Sequence, residues 1–284
     1  VSLSATTTYV QHVEACPDIG PVCATTPQQP YQHALHLYVT DLIADAEVGL
    51  IPQLSFEALL DFRMVVERIS YLDLTGNPYV PPYPDTHHRN ETLVGLADPW
   101  LMLHGGLDWL GISWTARAGI TLPLGSTVPN PFILGDEGLP HEHIQFGDGT
   151  VDPVVGLTAF KTFGAFSLDA WTLDRLPFYA NGYGYQAGAQ FLVGAGTQTS
   201  FGLTNWLFGL SLEGYHAASE TWSGLRYPEG NVERTDLLVD LTVGYSVTRS
   251  TQITFDVRVP LYTYAAGSVI SYPAILTLGV NFGT

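Results

Sequence analysis

The run from Tyr272 to Phe282, YPAILTLGVNF, decides the fold. Ala274, Leu276, Leu278, Val280 and Phe282 take the even positions, and Thr277, Gly279 and Asn281 fall between them. A period of two predicts an extended segment with one greasy face and one small, polar face. Working upstream, Ile253, Phe255, Val257, Val259 and Leu261 alternate with Thr254, Asp256 and Arg258. Before them, Leu237, Val239, Leu241, Val243 and Tyr245 oppose Asp236, Asp240, Thr242 and Gly244. Nearer the start, Leu54, Phe56, Ala58, Leu60, Phe62, Met64 and Val66 oppose Glu57, Asp61, Arg63 and Glu67.

Alternation serves a soluble sandwich as well as a membrane barrel, because each hides one face from water. Segment length and loop parity separate the two. Strand-like segments are predicted at 2–10, 33–48, 53–71, 92–105, 111–124, 152–163, 166–179, 184–195, 201–215, 232–247, 251–265 and 271–283. Most exceed the usual length of about 5 to 6 residues and approach the roughly 9 to 11 needed to cross a bilayer at a tilt. Long connections at 11–32, 72–91, 125–151 and 216–231 follow odd-numbered segments, whereas short ones such as IPQL, TQTSF and VTRS follow even-numbered ones. This layout predicts an all-β transmembrane antiparallel β-barrel of about 12 strands, a single domain over residues 1–284, with both chain ends on the short-turn side.

Aromatic residues gather near segment ends and predict two girdles. Tyr71, Tyr183, Tyr185, Tyr215, Tyr262, Tyr264 and Tyr272 lie toward the loops; Trp109, Phe163, Trp206 and Phe282 lie toward the turns. Segment 33–48 changes phase near Asp41, since Leu35, Leu37 and Val39 share the face later held by Asp45 and Glu47. The expectation there is a bulge, or an N-terminal segment lying outside the wall or inside the barrel, with ten strands as the alternative.

Composition excludes several functions. The 284 residues carry 10 Lys and Arg against 27 Asp and Glu, a net charge of −17, which argues against a nucleic-acid partner and disfavours anionic lipid headgroups. No apolar run is long enough for a membrane-spanning helix. The chain opens at Val1 without a basic n-region or an apolar h-region, so an exported protein would already have lost its targeting segment. Cys16 and Cys23, inside EACPDIGPVC, predict a small disulfide-closed loop in an oxidising compartment, with two free thiols as the alternative.

Placing the polar face inward lines the lumen with Asp45, Glu47, Glu57, Asp61, Glu67, Asp169, Glu213, Asp236, Asp240 and Asp256, beside Arg63, Arg117, Arg175 and Arg258. Charges facing lipid are costly, so an inward position by itself is compatible with simple filling of a narrow barrel. Four arginines cannot neutralise ten carboxylates, however, and the excess predicts a lumen that favours cations. The long loops at 72–91 and 125–151 are the candidates for a lid.

Histidines form a second constellation: His87 and His88 in one outer loop, His141 and His143 in another. Side chains at i and i+2 of an extended segment share a face, so His141 and His143 are placed to chelate a transition metal, with Asp85, Asp136 or Glu142 as additions. The alternative is that they are simply solvated. His104 lies in a membrane segment but no Gly-x-Ser-x-Gly elbow accompanies it, and the pair Glu57 and Asp61 is what one-face spacing produces by default, so no enzyme and no cofactor are expected. The expected partners are outer-membrane lipid and a small-molecule solute or cation. A closed barrel that binds a metal ion or a protein through its outer loops is the alternative function.

One motif adds a resemblance. Pro123 and Gly125 close a strand, and Gly147, Gly149, Asp152, Pro153 and Gly156 follow after a loop, within GDGTVDPVVGL. Over roughly residues 92–284 the chain resembles the outer-membrane family described as a putative MetA-pathway of phenol degradation. That resemblance implies a transporter-like barrel for small, sometimes aromatic, compounds.

Overall fold

The computed structural model describes residues 1–15, 31–73, 75–80, 89–227, 230–266 and 270–283, with the backbone alone at 12–15 and 31–33. Its elements begin with β1 (Ser2–Ala15), β2 (Tyr31–Ile51), β3 (Leu54–Asp73), β4 (Glu91–Leu96), β5 (Trp100–Trp109) and β6 (Ile112–Thr121). A short helix, α1 (Pro131–Asp136), precedes β7 (Pro153–Phe163), β8 (Phe166–Arg175), β9 (Tyr185–Gln186), β10 (Gln190–Thr199), β11 (Trp206–Ala217) and β12 (Thr221–Trp222). The last four are β13 (Arg234–Ser246), β14 (Thr251–Ala265), β15 (Ile270–Ser271) and β16 (Ile275–Phe282).

Every ladder is antiparallel, and β1 pairs with both β2 and β16, where Thr6 faces Asp41 on one side and Thr277 on the other. The sheet therefore closes on itself. Counting β4 with β5 and β15 with β16 as single interrupted crossings, the wall has twelve strands. β9 and β12 form a separate two-stranded sheet.

Register explains the alternation read from the sequence. Leu42 faces Phe62, and Ala44 faces Leu60, across the β2–β3 ladder, and Leu42, Leu60 and Phe62 are 52%, 50% and 45% exposed. The intervening residues Asp41 and Arg63, or Glu47 and Glu57, point the other way. An outer wall of exposed apolar side chains around a polar inner face is stable in lipid, where a closed barrel satisfies every backbone group internally.

The N-terminal expectations need correction. β1 is a full wall strand through Ala15, not a segment outside or within the barrel. The β2–β3 register is unbroken past Asp41 and shifts only between Gly49 and Ile51. Leu35, Leu37 and Val39 do face inward, on the same side as Val65 and Ile69, and Leu35 and Val65 are only 8% and 3% exposed. On the outward positions of this same stretch stand His36, Arg68 and Ser70. The polarity of the two faces inverts here because the strands have passed out of the hydrocarbon, and the loop after β6 lies against the inner side at Glu67, Glu91 and Gly95, so what looks like a phase break involves no bulge.

Two further segments differ from expectation. Residues 184–195 are split between β9 and β10, and Tyr185 is buried at the β9–β12 pair; Tyr215 faces Asp236 on the inner wall. Neither belongs to a girdle. The outward aromatics at the loop end include Tyr9, Tyr38, Phe191, Tyr262 and Tyr264, and those at the turn end include Phe163, Phe166, Phe201, Trp206, Tyr245 and Phe282. Phe166, Phe201, Phe208, Trp206 and Tyr245 form a chain of ring contacts there. Cys16, Cys23, Asp85, His87 and His88 lie outside the described residues.

Candidate functional site: the inner wall and its inserted loop

The inner wall carries its charges in tiers. Near the short turns, His104 sits buried between two carboxylates, with Nε2 2.5 Å from Glu57 Oε2 and Nδ1 3.3 Å from Glu47 Oε1. Ser55 donates its hydroxyl to Glu47, and Arg117 lies directly across the β5–β6 ladder from His104. Asp45 shares this face.

Midway up, Arg63 clasps Asp41 with both nitrogens, Nε to Oδ1 at 2.6 Å and Nη2 to Oδ2 at 3.3 Å, and lies 3.6 Å from Asp61. On the β11–β14 side, Arg258 Nε is 3.6 Å from Asp240 Oδ2 and its Nη1 is 4.0 Å from Glu213 Oε1. Asp256 accepts the Thr242 hydroxyl at 2.6 Å. Asp169 faces Gly196 from β8. Higher still, Arg234 holds Asp236 at 2.6 and 3.1 Å, and Thr263 donates to Asp236 at 2.7 Å.

The loop between β6 and β7 folds back against this wall. Asp98, in the break between β4 and β5, accepts the backbone N–H of Gly125 on Oδ1 and of Asp148 on Oδ2, both at 2.8 Å. Arg175 pairs with Asp148 and lies 3.6 Å from buried Asp152. Thr121 and Asp152 exchange bonds at the loop's base, N–H to O at 2.9 Å and Asp152 N–H to Thr121 Oγ1 at 3.2 Å. The glycine motif follows from this seat: a Cβ on Gly125 would stand 2.6 Å from the Gly147 Cα, and one on Gly147 2.4 Å from Asp98 Oδ1. Only bare backbone fits both.

The loop spans from one wall to the β9–β12 pair. On the β3–β4 side, Arg89 Nη2 lies 3.1 Å from both Glu91 and Glu142, and Glu67, Glu91 and Glu142 bring carboxylate oxygens within 4.8 Å of one another. Beyond them, α1 is capped by Asn130, whose Oδ1 accepts the N–H groups of Phe132 and Ile133 at 3.0 and 3.4 Å. Phe132 stacks on Tyr227 with centroids 4.1 Å apart and packs with Tyr185, Ala187 and Trp222 into an apolar cluster above the lumen.

Glu67 thus stands within the loop's carboxylate cluster rather than alone on the wall. Asp41, Arg234, His104 and the loop acids Glu142, Asp148 and Asp152 join the inner charges without having been read as lumen residues. Asp41 and Arg234 carried the period-two signal; the loop acids carried none, since their places depend on contacts far along the chain. His141 and His143 lie with ring centroids 5.3 Å apart, His141 Nδ1 3.0 Å from the Leu139 carbonyl and His143 edge-on to Phe132. Among the described residues, the one group of three clustered metal-ligand types is the glutamate trio, and neither histidine is in it.

No protein-family model matches the chain, and no curated protein matches it. Solved structures do. The COG4313 outer membrane channel from Pseudomonas putida F1 superposes with a TM-score of 0.55 at 12% identity, over 99% of this chain and 95% of that one. The chain has the fold of an outer-membrane channel. The NanC porin gives a TM-score of 0.46 at 8% identity over 98% and 100% of the two chains, and a FadL homologue from Pseudomonas aeruginosa 0.44 at 10% over 99% and 90%. The likeness to the COG4313 channel is one of fold, and it agrees with the membrane barrel that the exposed apolar wall requires.

Proposed function

We propose that this barrel is an outer-membrane channel for small solutes, with a passage that favours cations and is narrowed by the inserted loop over residues 122–152. The observation that carries the reading is the imbalance of the inner wall. Asp41, Asp45, Glu47, Glu57, Asp61, Glu67, Asp169, Glu213, Asp236, Asp240 and Asp256 share it with Arg63, Arg117, Arg175, Arg234 and Arg258. Arg63, Arg175, Arg234 and Arg258 each stand beside a carboxylate already, and the surplus negative charge raises the local cation concentration and repels anions. A twelve-stranded wall lies between filled eight-stranded barrels and aqueous sixteen-stranded porins, so passage is expected to be slow and selective.

The test is conductance of the refolded protein in a planar bilayer under a salt gradient. A reversal potential of cation sign is expected, and Asp240→Asn should lower the cation preference by roughly twofold. An inserted protein that stays silent, or one that prefers anions, overturns the reading.

A further inference from the structure

We infer that His36 and Arg68 form, on the outer wall just beyond the loop-end aromatic girdle, a seat for a phosphate of an outer-leaflet lipid. The two residues are directly opposite each other in the β2–β3 ladder, on the face that also carries Leu42, Phe62, Met64 and Tyr38. The pair below them, Tyr38 with Val66, ends the apolar run; His36 and Arg68 come next, roughly 7 Å farther along the strands. That height is where a lipid's headgroup begins.

Their chemistry is one-sided. Arg68 is exposed and donates from Nη1 to the carbonyls of Glu67 and Glu91 at 2.7 and 3.3 Å, which leaves Nε and Nη2 without a partner among the described residues. Among the described residues no carboxylate pairs with Arg68, whereas Arg63, Arg89, Arg175, Arg234 and Arg258 each hold at least one. His36 rests its Nδ1 2.5 Å from Tyr9 Oη and lies parallel to that ring, so its Nε2 is the free edge. An Arg and a His directly opposite each other at a membrane interface, neither paired with a carboxylate among the described residues, leave Nε and Nη2 of the one and Nε2 of the other in need of an acceptor. A phosphate oxygen supplies that acceptor, with the guanidinium fork as its best partner.

The chain's net charge of −17 does not oppose this. Most of the acids that create it lie on the inner wall or in the inserted loop, behind the sheet, while a lipid meets only the outer surface, and screening confines the interaction to about 10 Å. Tyr9 and Tyr38, with ring centroids 5.2 Å apart and planes inclined at 44°, supply the aromatic contact for the lipid beneath the phosphate.

The experiment is thermal unfolding of the purified barrel in an uncharged detergent, with and without lipopolysaccharide. Wild type should gain several degrees, the gain should shrink at high salt, and enzymatically dephosphorylated lipopolysaccharide should give little of it. Changing both residues, His36→Gln with Arg68→Gln, should abolish most of the shift, while Arg249→Gln, in the turn between β13 and β14 at the opposite end, should keep it. Arg68→Gln alone leaves the Tyr9–His36 contact intact and should lose at least half; heat-modifiable gel migration verifies that each variant is closed. A full shift in Arg68→Gln, an equal shift from dephosphorylated lipid, or the same shift from inorganic phosphate alone overturns the assignment.

Discussion

Asp98 receives the backbone N–H of Gly125 at 2.8 Å, and its second oxygen receives that of Asp148, so one carboxylate in a break of the barrel wall holds both ends of the inserted loop. Hydrogen bonds to a charged group contribute about 1.5–3 kcal/mol each. Asp98→Ala therefore removes two such bonds and strands two N–H groups. The expected outcome is a loop that leaves its seat at least tenfold more often, seen in single-channel records as larger and noisier openings. Records indistinguishable from wild type would show that the seat does not depend on Asp98.

Gly147→Ala attacks the same seat by volume. Its new methyl group would sit 2.4 Å from Asp98 Oδ1 and 2.7 Å from the Gly125 Cα, and backbone cannot yield there. Overpacking of this kind costs about 1–3 kcal/mol or more. Conductance should rise as it does for Asp98→Ala, and combining the two should add little, because both release one contact. Gly49→Ala, which meets nothing within 4 Å, is the control and should leave conductance unchanged.

Glu142 gives the loop a pH dependence. Burial first, and then the neighbouring Glu91 and Glu67, push its carboxyl up to about 8, against the opposing pull of Arg89. The seated loop therefore binds a proton that a released loop gives up near the ordinary 4.5. Stabilisation from this group is full below 4.5 and is lost as pH rises through about 8. Open-channel current should accordingly grow between these limits, and Glu142→Gln should flatten the profile. A wild-type current that falls over the same range would reverse the sign and reject the account.

The strands that were easiest to read were those whose two faces meet lipid and lumen along their whole length. Ile253 to Val259 and Leu276 to Val280 are of this kind, and their register in the barrel is the one their alternation implies. Leu35, Leu37 and Val39 misled because the contrast reverses above the bilayer: outward neighbours His36 and Arg68 meet polar surroundings while the inward side meets the loop. A periodicity reports which face is greasier, not which face is inside. The seat of the loop was legible only as a spacing of glycines. That Gly125 meets Gly147, and that Asp98 meets both Gly125 and Asp148, depends on approaches between segments far apart in sequence. The ring contact of His141 with His143, and that of His143 with Phe132, could not be read from the i, i+2 spacing either, because Phe132 comes to the pair through the fold of the loop.

Thr6 and Thr277 touch across the last ladder, their hydroxyls 3.0 Å apart and separated by 271 positions of chain. Most other ladders join strands that follow closely in sequence, so they can form locally, but this one must wait for the whole wall. Until then β1 and β16 are two open edges whose N–H and C=O groups have no partner in hydrocarbon, a cost of several kcal/mol for each group left bare. Zipping the seam from Thr8 with Ile275 down to Ser2 with Asn281 is thus the step that commits the barrel to the bilayer. The small Ser, Thr and Ala side chains along β1 suit that task, offering a narrow edge that can slide into place between its two neighbours.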